Sequence, residues 1–200
     1  LINMDIFTSK QFVVGFWASN FLYASFMGIT LIVPLFIENI WGGTALEAGL
    51  VLLPGTIAAL FINPLAGYLT DRFHARPVIV FFGACLAFGS VAMAFMDAST
   101  PFWLILLLQG IRACGVSGLV SPLTSWSMEE LAPNRMTDAS SFSTAIRQAI
   151  ASMGTALMVF SITLGAQAFG SLLFGFQLAL GLSGVFALAL FVIALSLIHI

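Results

Sequence analysis

Three charged side chains stand close together in the polar stretch 67–77, GYLTDRFHARP, which separates two long apolar runs. They are Asp71, Arg72 and Arg76. An aspartate beside two arginines can form an ion pair or lie near a helix N-terminus, and such contacts can break when parts of a protein move. A polar contact of this kind is one use for the three residues. The simpler alternative is that the arginines only hold this loop on one side of a membrane.

Two more arginines lie inside apolar runs, Arg112 in the fourth and Arg147 in the fifth. A central arginine costs about 2.5–3.5 kcal/mol on membrane-insertion scales, so it should face a cavity or a partner. Gln109 precedes Arg112 by one helical turn, and Gln148 follows Arg147. We therefore predict that these four residues line a polar pathway. The alternative is that the arginines brace the bundle by donating to backbone carbonyls or to the glutamines.

Side-chain amides supply the remaining polar candidates inside the apolar runs. Weaker candidates than the arginines for lining the same pathway are Asn20, Asn63, Gln167 and Gln177. Amides often bond between helices without touching a ligand, which is the alternative for each of the four.

The elements that carry these residues must lie in lipid. The chain has 200 residues, 60% hydrophobic and only 7% charged, with a mean hydropathy of +1.11. A soluble domain carries about 25% charged residues. Each apolar run reaches the roughly 20 residues needed to cross a bilayer, and lipid leaves no partner for open backbone groups. We predict an all-α integral membrane fold with six transmembrane helices over residues 12–37, 48–69, 77–96, 102–126, 139–165 and 176–198.

The basic residues outside these runs predict the orientation. Lys10 precedes the first run, Arg72 and Arg76 follow the second, and Arg135 follows the fourth. The other three connections contain no Lys or Arg. The positive-inside rule therefore places both termini in the cytoplasm.

Several classes of protein are disfavoured by the residues present. The sequence has no metalloprotease, phosphate-loop or paired-aspartate motif, so we expect no catalytic residues and no enzyme. Two histidines and two isolated cysteines, Cys85 and Cys114, give no metal or cofactor site. A net charge of −2 without a basic run argues against a nucleic-acid partner.

Carboxylates are absent from the middle of every apolar run. A proton-coupled membrane protein needs a carboxylate or histidine that titrates in its cavity. His74 lies in a loop, and His199 lies near the end of the sequence. If the protein uses protons, we expect the main proton carrier to lie outside these residues.

The stretch 67–77 resembles the cytoplasmic motif of the major facilitator superfamily, roughly Gly-x-Leu-x-Asp-Arg-x-Gly-x-Arg. The positions that match are Gly67, Leu69, Asp71, Arg72 and Arg76. His74 stands where the motif has its central glycine, so the turn could differ from the family's. The resemblance implies that Gly67, Asp71, Arg72 and Arg76 belong to a gate at the inner membrane face.

Further segments are similar to the fourteen-span drug:proton antiporter branch of that superfamily. They are AGLVLLPG at 48–55, PLAG at 64–67, SPLT at 121–124, and AS at 139–140 followed by Arg147, Gln148 and Gly154. The resemblance implies a C-terminal half-bundle over residues 12–198, after a cytoplasmic lead-in at 1–11. It would contain two three-helix repeats, about 12–96 and 102–198. The expected partners are the lipid bilayer and a missing N-terminal half, and we expect a fragment at both ends.

What the resemblance implies about function is a multidrug exporter of the bacterial plasma membrane. It would work by alternating access, exchanging protons for small amphipathic, often cationic drugs. The proton gradient would be its energy source, without a cofactor. Two alternatives remain: a metabolite facilitator of the same superfamily, and a non-transporting membrane sensor or scaffold.

Overall fold

The computed structural model describes residues 9–129 and 133–196, with side chains omitted for 133 and 134. The described part is helical, and a π-helical turn, Ile37–Trp41, continues the first helix. The α-helices are α1 Lys10–Phe36, α2 Ala45–Leu50, α3 Leu53–Phe73, α4 Ala75–Met93, α5 Phe102–Met128, α6 Pro133–Ala168 and α7 Leu172–Ser196. Residues 1–8 and the end of the sixth apolar run beyond Ser196 lie outside the described residues.

Six segments are long and apolar enough to cross a membrane by length and composition. Two of them join neighbouring elements, since α1 runs on into the π-helical turn and α2 precedes α3 with a short turn between. The segments are Lys10–Trp41, Ala45–Phe73, Ala75–Met93, Phe102–Met128, Arg135–Ala168 and Leu172–Ser196. The predicted all-α membrane fold with six transmembrane helices is confirmed.

Side chains before α1 and α2 satisfy backbone donors of their first turns. Ser9 Oγ accepts from the Phe12 amide at 3.2 Å. Before α2, Thr44 and Glu47 form a capping box, in which each side chain accepts from the other residue's backbone amide. These caps pair donors that have no partner within the helix, so they fix where both helices begin.

The second apolar run is interrupted, whereas the sequence predicted one continuous helix over residues 48–69. Helix α2 ends at Leu50 and α3 begins at Leu53, with Pro54 in its first turn. Proline has no backbone N–H, so it fits the first turn of a helix, where that donor would be unpaired. Pro64 and Pro122 remain inside α3 and α5.

The last two helices extend beyond the predicted apolar runs. Helix α6 begins at Pro133 and ends at Ala168, and α7 begins at Leu172. The connection predicted over 166–175 is therefore much shorter, and Gly170 turns it with a φ of 63°. Hydropathy indicates which residues lie in the hydrocarbon core of the bilayer, whereas backbone hydrogen bonds determine where a helix ends. A helix can therefore continue through polar turns beyond the bilayer.

Helices α1 and α5 lie at the centre of the bundle. Helix α1 packs against α6 and α7, and α5 packs against α3 and α4. The two sets of contacts correspond helix by helix. If α1 is matched with α5, α3 with α6, and α4 with α7, the contacts of α1 become those of α5. Two inverted repeats would produce this pattern. The repeat boundaries at 12–96 and 102–198 stay a prediction.

Two spans are much less buried than the other four. In the most apolar window of each span, 11% of residues are buried for the span containing α3 and 22% for the span containing α6. The corresponding share is 39–56% for the other four spans. Helices α3 and α6 therefore each leave a long face uncovered by the described part of the chain.

Candidate functional site

Arg112 is a fully buried charge near the middle of α5. Only 1% of its surface is exposed, and neighbouring Gln109 is 3% exposed. Its Nε donates to Gln109 Oε1 at 3.2 Å, while its Nη1 has no hydrogen-bond partner among the described residues. Gln109 lies on the same face as Arg112, as the sequence spacing predicted, and it orients the guanidinium. This donation to a glutamine matches the bracing alternative, while Nη1 stays without a partner among the described residues.

Arg112 lines a cavity of about 220 Å³ between α1, α3 and α5. Its apolar wall includes Phe26, Leu52 and Val116. The exposed residues Thr30 of α1 and Thr56 of α3 also line it, so the cavity opens between these two helices. The site is therefore an apolar chamber with one cationic group in its wall.

Helix α4 fixes the position of Arg112 in α5. A Cβ placed on Gly89 of α4 would lie 2.8 Å from the Cβ of Arg112 and 2.9 Å from its backbone nitrogen. These distances are too short for real Cβ contacts. Only glycine allows the two helix backbones to approach so closely, and this contact holds Arg112 in place.

Arg147 lies elsewhere, at the packing surface between α6 and α1. Its Nη2 donates to Thr144 Oγ1 at 3.0 Å, and its guanidinium lies 4.7 Å from the ring centroid of Tyr23. This cation–π contact links α6 to α1. Gln148 is exposed and lines a surface groove with Ser152 and other α6 residues. The two arginines therefore belong to different places.

The amide candidates also separate in the structure. Asn20 is 2% exposed, and neither of its side-chain polar atoms has a partner among the described residues. It lines a cavity of about 160 Å³ between α1, α6 and α7. Asn63 is exposed on α3. Gln177 donates to the Met96 carbonyl at 3.1 Å, which matches the bracing alternative, and Gln167 is exposed.

The residues of the polar motif lie at one end of the bundle, where α3 ends and α4 begins. Asp71 and Arg72 are in the last turn of α3, and Arg76 is in the first turn of α4; all three are exposed. Arg72 Nη1 donates to Tyr68 Oη at 2.9 Å. No ion pair joins Asp71 to either arginine in the part of the chain that the structure describes. The pairing that the sequence suggested within this motif is therefore not formed here.

Residues of the motif also line a large cavity, and Gly67 lies on an uncovered face of α3. Asp71, His74 and Arg76 line a cavity of about 860 Å³ with Trp126 and Glu129, near the end of α5. A Cβ added at Gly67 would meet no heavy atom within 4 Å. Nothing in the described part of the chain therefore requires a glycine at position 67.

His74 adopts a backbone conformation of the kind that favours glycine. Its φ is 67° and its ψ is 159°. This region of backbone space is used almost only by glycine. The turn at His74 therefore has a positive φ in spite of the side chain, because two helices ending at Phe73 and beginning at Ala75 leave one residue for the reversal.

The sequence interpretation missed a polar stripe along α6. Its members recur every three or four residues, and Val159 occupies the one apolar position of the series. Apart from half-buried Thr155, the polar members are exposed. They are Thr137, Ser141, Thr144, Gln148, Ser152, Thr155 and Thr163. The signal was present as helical spacing of hydroxyl and amide residues within an apolar run.

Comparison with known proteins decides the family. The family model described as Major Facilitator Superfamily matches residues 16–200. The chain belongs to the major facilitator superfamily. It is accordingly a multi-pass membrane protein of this family.

Two curated relatives and one solved structure are similar to this chain. It is 33% identical over 135 residues to the uncharacterised MFS-type transporter YhcA of Bacillus subtilis, covering 68% of this chain and 25% of that protein. It is 25% identical over 162 residues to the multidrug export protein EmrB of Escherichia coli K12, covering 78% of this chain and 31% of that protein. The crystal structure of an auto-inhibited POT family peptide transporter gives a TM-score of 0.71 at 20% identity, covering 94% and 37% of the two chains.

The lengths of these proteins differ greatly from that of this chain. It spans about a quarter of YhcA and under a third of EmrB. The likeness to the peptide transporter concerns the fold alone.

Proposed function

We propose that this chain is the C-terminal half of a proton-coupled multidrug exporter of the bacterial plasma membrane. In this proposal, alternating access moves small amphipathic molecules through a cavity between two half-bundles, and the proton gradient supplies the energy without a cofactor. The similarity to EmrB, a multidrug export protein, supports drug export in particular.

The observation that carries the proposal is the pair of uncovered helices. The uncovered face of α3 is apolar, with exposed Ile57, Leu60 and Phe61. The uncovered face of α6 carries the polar stripe beside exposed apolar residues. Hydroxyls in the stripe donate to carbonyls one turn earlier, as Ser152 does to Gln148. The Gln148 side-chain amide, however, has no partner among the described residues, and in hydrocarbon this would be costly. A second half-bundle with an aqueous cavity between the halves would cover both faces favourably.

The polar motif supports a gate at the inner face. Asp71 is exposed and free of an arginine partner within the described residues, and Gly67 presents an open helix surface. Both features suit contact with a helix outside this half, made in one state and broken when the halves rock. On this proposal Arg72 and Arg76 hold the loop in the cytoplasm and flank that contact.

Transport by the full-length protein tests the proposal. Cells of an Escherichia coli strain lacking its own exporters would express it and be loaded with ethidium, a cationic dye, or fluorescein, an anionic one. We expect energy-dependent loss of at least one dye, abolished by a protonophore. Asp71→Asn should abolish the loss while membrane abundance stays unchanged.

The competing functions give different results in the same cells. Inhibition by sugars or amino acids, without dye export, would indicate a metabolite facilitator. Unchanged retention of both dyes would favour a sensor or scaffold.

The pathway role of the two arginines has its own test, since Arg112→Ala or Arg147→Ala should abolish export at normal abundance. Undiminished export in both variants would exclude that role.

A further inference from the structure

We propose that the cavity around Arg112 binds the anionic group of the transported molecule, a carboxylate or its chemical equivalent. The inference rests on the proposed transport function. It narrows the substrate class from amphipathic molecules in general to amphipathic anions and zwitterions.

The first argument is the lack of a counter-charge. All described carboxylates lie in connections or near the ends of spans, at Glu38, Glu47, Asp71, Asp97, Glu129 and Asp138. None lines the cavity around Arg112. A buried cation without a partner is unfavourable in a low-dielectric interior, and an incoming anion would compensate it.

The second argument is the geometry of the guanidinium. Gln109 occupies Nε of Arg112, and this contact orients the planar group. The neighbouring Nη1 is buried and has no partner among the described residues. A planar, oriented guanidinium with an open donor is suited to a carboxylate, because charge-assisted hydrogen bonds from arginine are short and directional.

The third argument is the size and lining of the cavity. Its volume of about 220 Å³ is below the roughly 300 Å³ at which sites for whole drug-sized molecules begin. It therefore fits one end of a ligand. Phe26, Leu52 and Val116 would pack against an apolar ring beside the anionic group. The gap between Thr30 and Thr56 leaves room for the rest of the molecule.

The same features disfavour a ligand that is only cationic. Its charge would enter a chamber whose described lining holds an arginine and no carboxylate, where low dielectric strengthens repulsion. Ligand charge at constant shape is therefore the variable to test. Benzoate, benzamide and benzamidine form such a series, as anion, neutral molecule and cation with the same ring.

Thermal unfolding of the purified full-length transporter in detergent tests the site without depending on transport. We expect benzoate to raise the unfolding midpoint, and benzamide and benzamidine to leave it unchanged. Arg112→Gln should weaken the benzoate response at least tenfold in concentration. Lys10→Gln removes an exposed charge at the start of α1 and should respond like the wild type.

Three outcomes would overturn the proposal. The first is equal stabilisation by benzoate and benzamide. The second is a full benzoate response in Arg112→Gln. The third is a wild-type protein whose unfolding midpoint does not change with benzoate, as expected if a carboxylate elsewhere in the full chain already binds the guanidinium. Where Arg112→Gln does not fold, the three-ligand comparison on the wild type decides.

The dye experiment separates this inference from the proposed function. Benzoate binding without export of either dye would retain the anion site and reject the exporter. Export of ethidium without a benzoate response would retain the exporter and reject the anion site.

Discussion

At His74 a side chain occupies a backbone conformation that normally requires glycine. The φ of 67° and ψ of 159° place its Cβ against neighbouring backbone atoms. The two helices on either side fix this conformation, because they leave a single residue in which the chain reverses. Strain at this position is therefore set by α3 and α4 and not by the histidine itself.

We expect His74→Gly to stabilise the protein by about 1 kcal/mol, because glycine adopts this conformation without strain. His74→Ala is the matched control, since it removes the imidazole but keeps the Cβ, and it should give no gain. Thermal unfolding of the full-length protein in detergent measures both. A gain in the alanine variant equal to that in the glycine variant would assign the effect to the imidazole instead.

At Asp97, in contrast to His74, the side chain fits the local backbone, because the turn forms around its carboxylate. Its Oδ1 accepts from the Ser99 amide at 2.9 Å, the Ser99 hydroxyl at 2.7 Å and the Thr100 hydroxyl at 3.1 Å. These hydrogen bonds, led by those from Ser99 and Thr100 side chains, lower the pKa of Asp97 from its usual value of 3.8. Asp97 lies in the connection between α4 and α5, outside both spans.

The lowered pKa predicts a pH-dependent contribution to stability. A carboxylate with a lower pKa in the folded state stabilises the protein above its unfolded pKa, and this contribution disappears as pH falls through the folded value. Asp97→Asn should therefore be less stable than the wild type at neutral pH, with a difference that shrinks below about pH 4. Unfolding midpoints between pH 3 and 7 check this, and Ser99→Ala should reproduce part of the effect. A difference independent of pH would contradict it.

At the scale of elements, α4 and α5 pack closely because glycine residues at their contact have no side chain. A Cβ added at Gly115 of α5 would lie 2.5 Å from the backbone nitrogen of Leu86 in α4. Gly110 of the same helix faces α3, where its Cβ would lie 3.4 Å from Pro54, an ordinary contact. Lipid supplies no hydrophobic drive between helices, so close backbone packing contributes much of the cohesion.

Gly115→Ala should therefore destabilise the bundle by about 1–3 kcal/mol, the usual cost of overpacking a rigid contact. Gly110→Ala is the matched control, because the same methyl group makes only an ordinary contact with Pro54 and alanine favours a helix. The fraction of protein that remains monodisperse in detergent after heating compares the two. Equal losses would mean that helix propensity, and not packing, governs α5.

At the scale of the whole molecule, the six spans form a bundle with two incomplete sides. Helices α1, α4, α5 and α7 supply the packed core, while α3 and α6 each expose a face. The exposed side chains of α3 are mostly apolar, whereas α6 exposes the polar stripe next to apolar side chains such as Met153 and Phe160. The polar stripe is best explained by water, and the apolar face by protein or lipid.

This reasoning predicts which positions a water-soluble thiol reagent reaches in the full-length protein. Ser152→Cys in the polar stripe should react, because it faces an aqueous cavity between the halves. Val185→Cys on α7, where the native residue is 59% exposed, should not react, because lipid covers it. The native thiols of Cys85 and Cys114 are first replaced by alanine, and labelling is followed in membranes by mass. Equal labelling at the two positions would contradict an aqueous pathway along α6.

Several features followed from the sequence because they depend on local chemistry. The apolar runs predicted all six spans, because segments with so few charged residues are stable in lipid and not in water. The motif around Asp71 predicted the superfamily, which the family model confirms. The spacing of Gln109 and Arg112 placed both on one face of α5, because residues three apart are neighbours on any helix.

Other features depended on neighbours that the sequence does not reveal. The second run reads as one apolar stretch, yet Pro54 starts a new helix there. Arg112 and Arg147 look alike in the sequence, as isolated cations in apolar runs. Only packing gives Arg112 a cavity and an open donor, and gives Arg147 the ring of Tyr23.

The sequence by itself determined the solvent, the number of spans and the family, because hydropathy and motif residues act locally or through the bilayer. The tertiary structure alone decided which faces stay open, which polar atoms lack a partner, and that His74 takes a glycine conformation. These properties belong to pairs of helices far apart in the chain. Each depends on distances between groups whose separation no sequence pattern specifies.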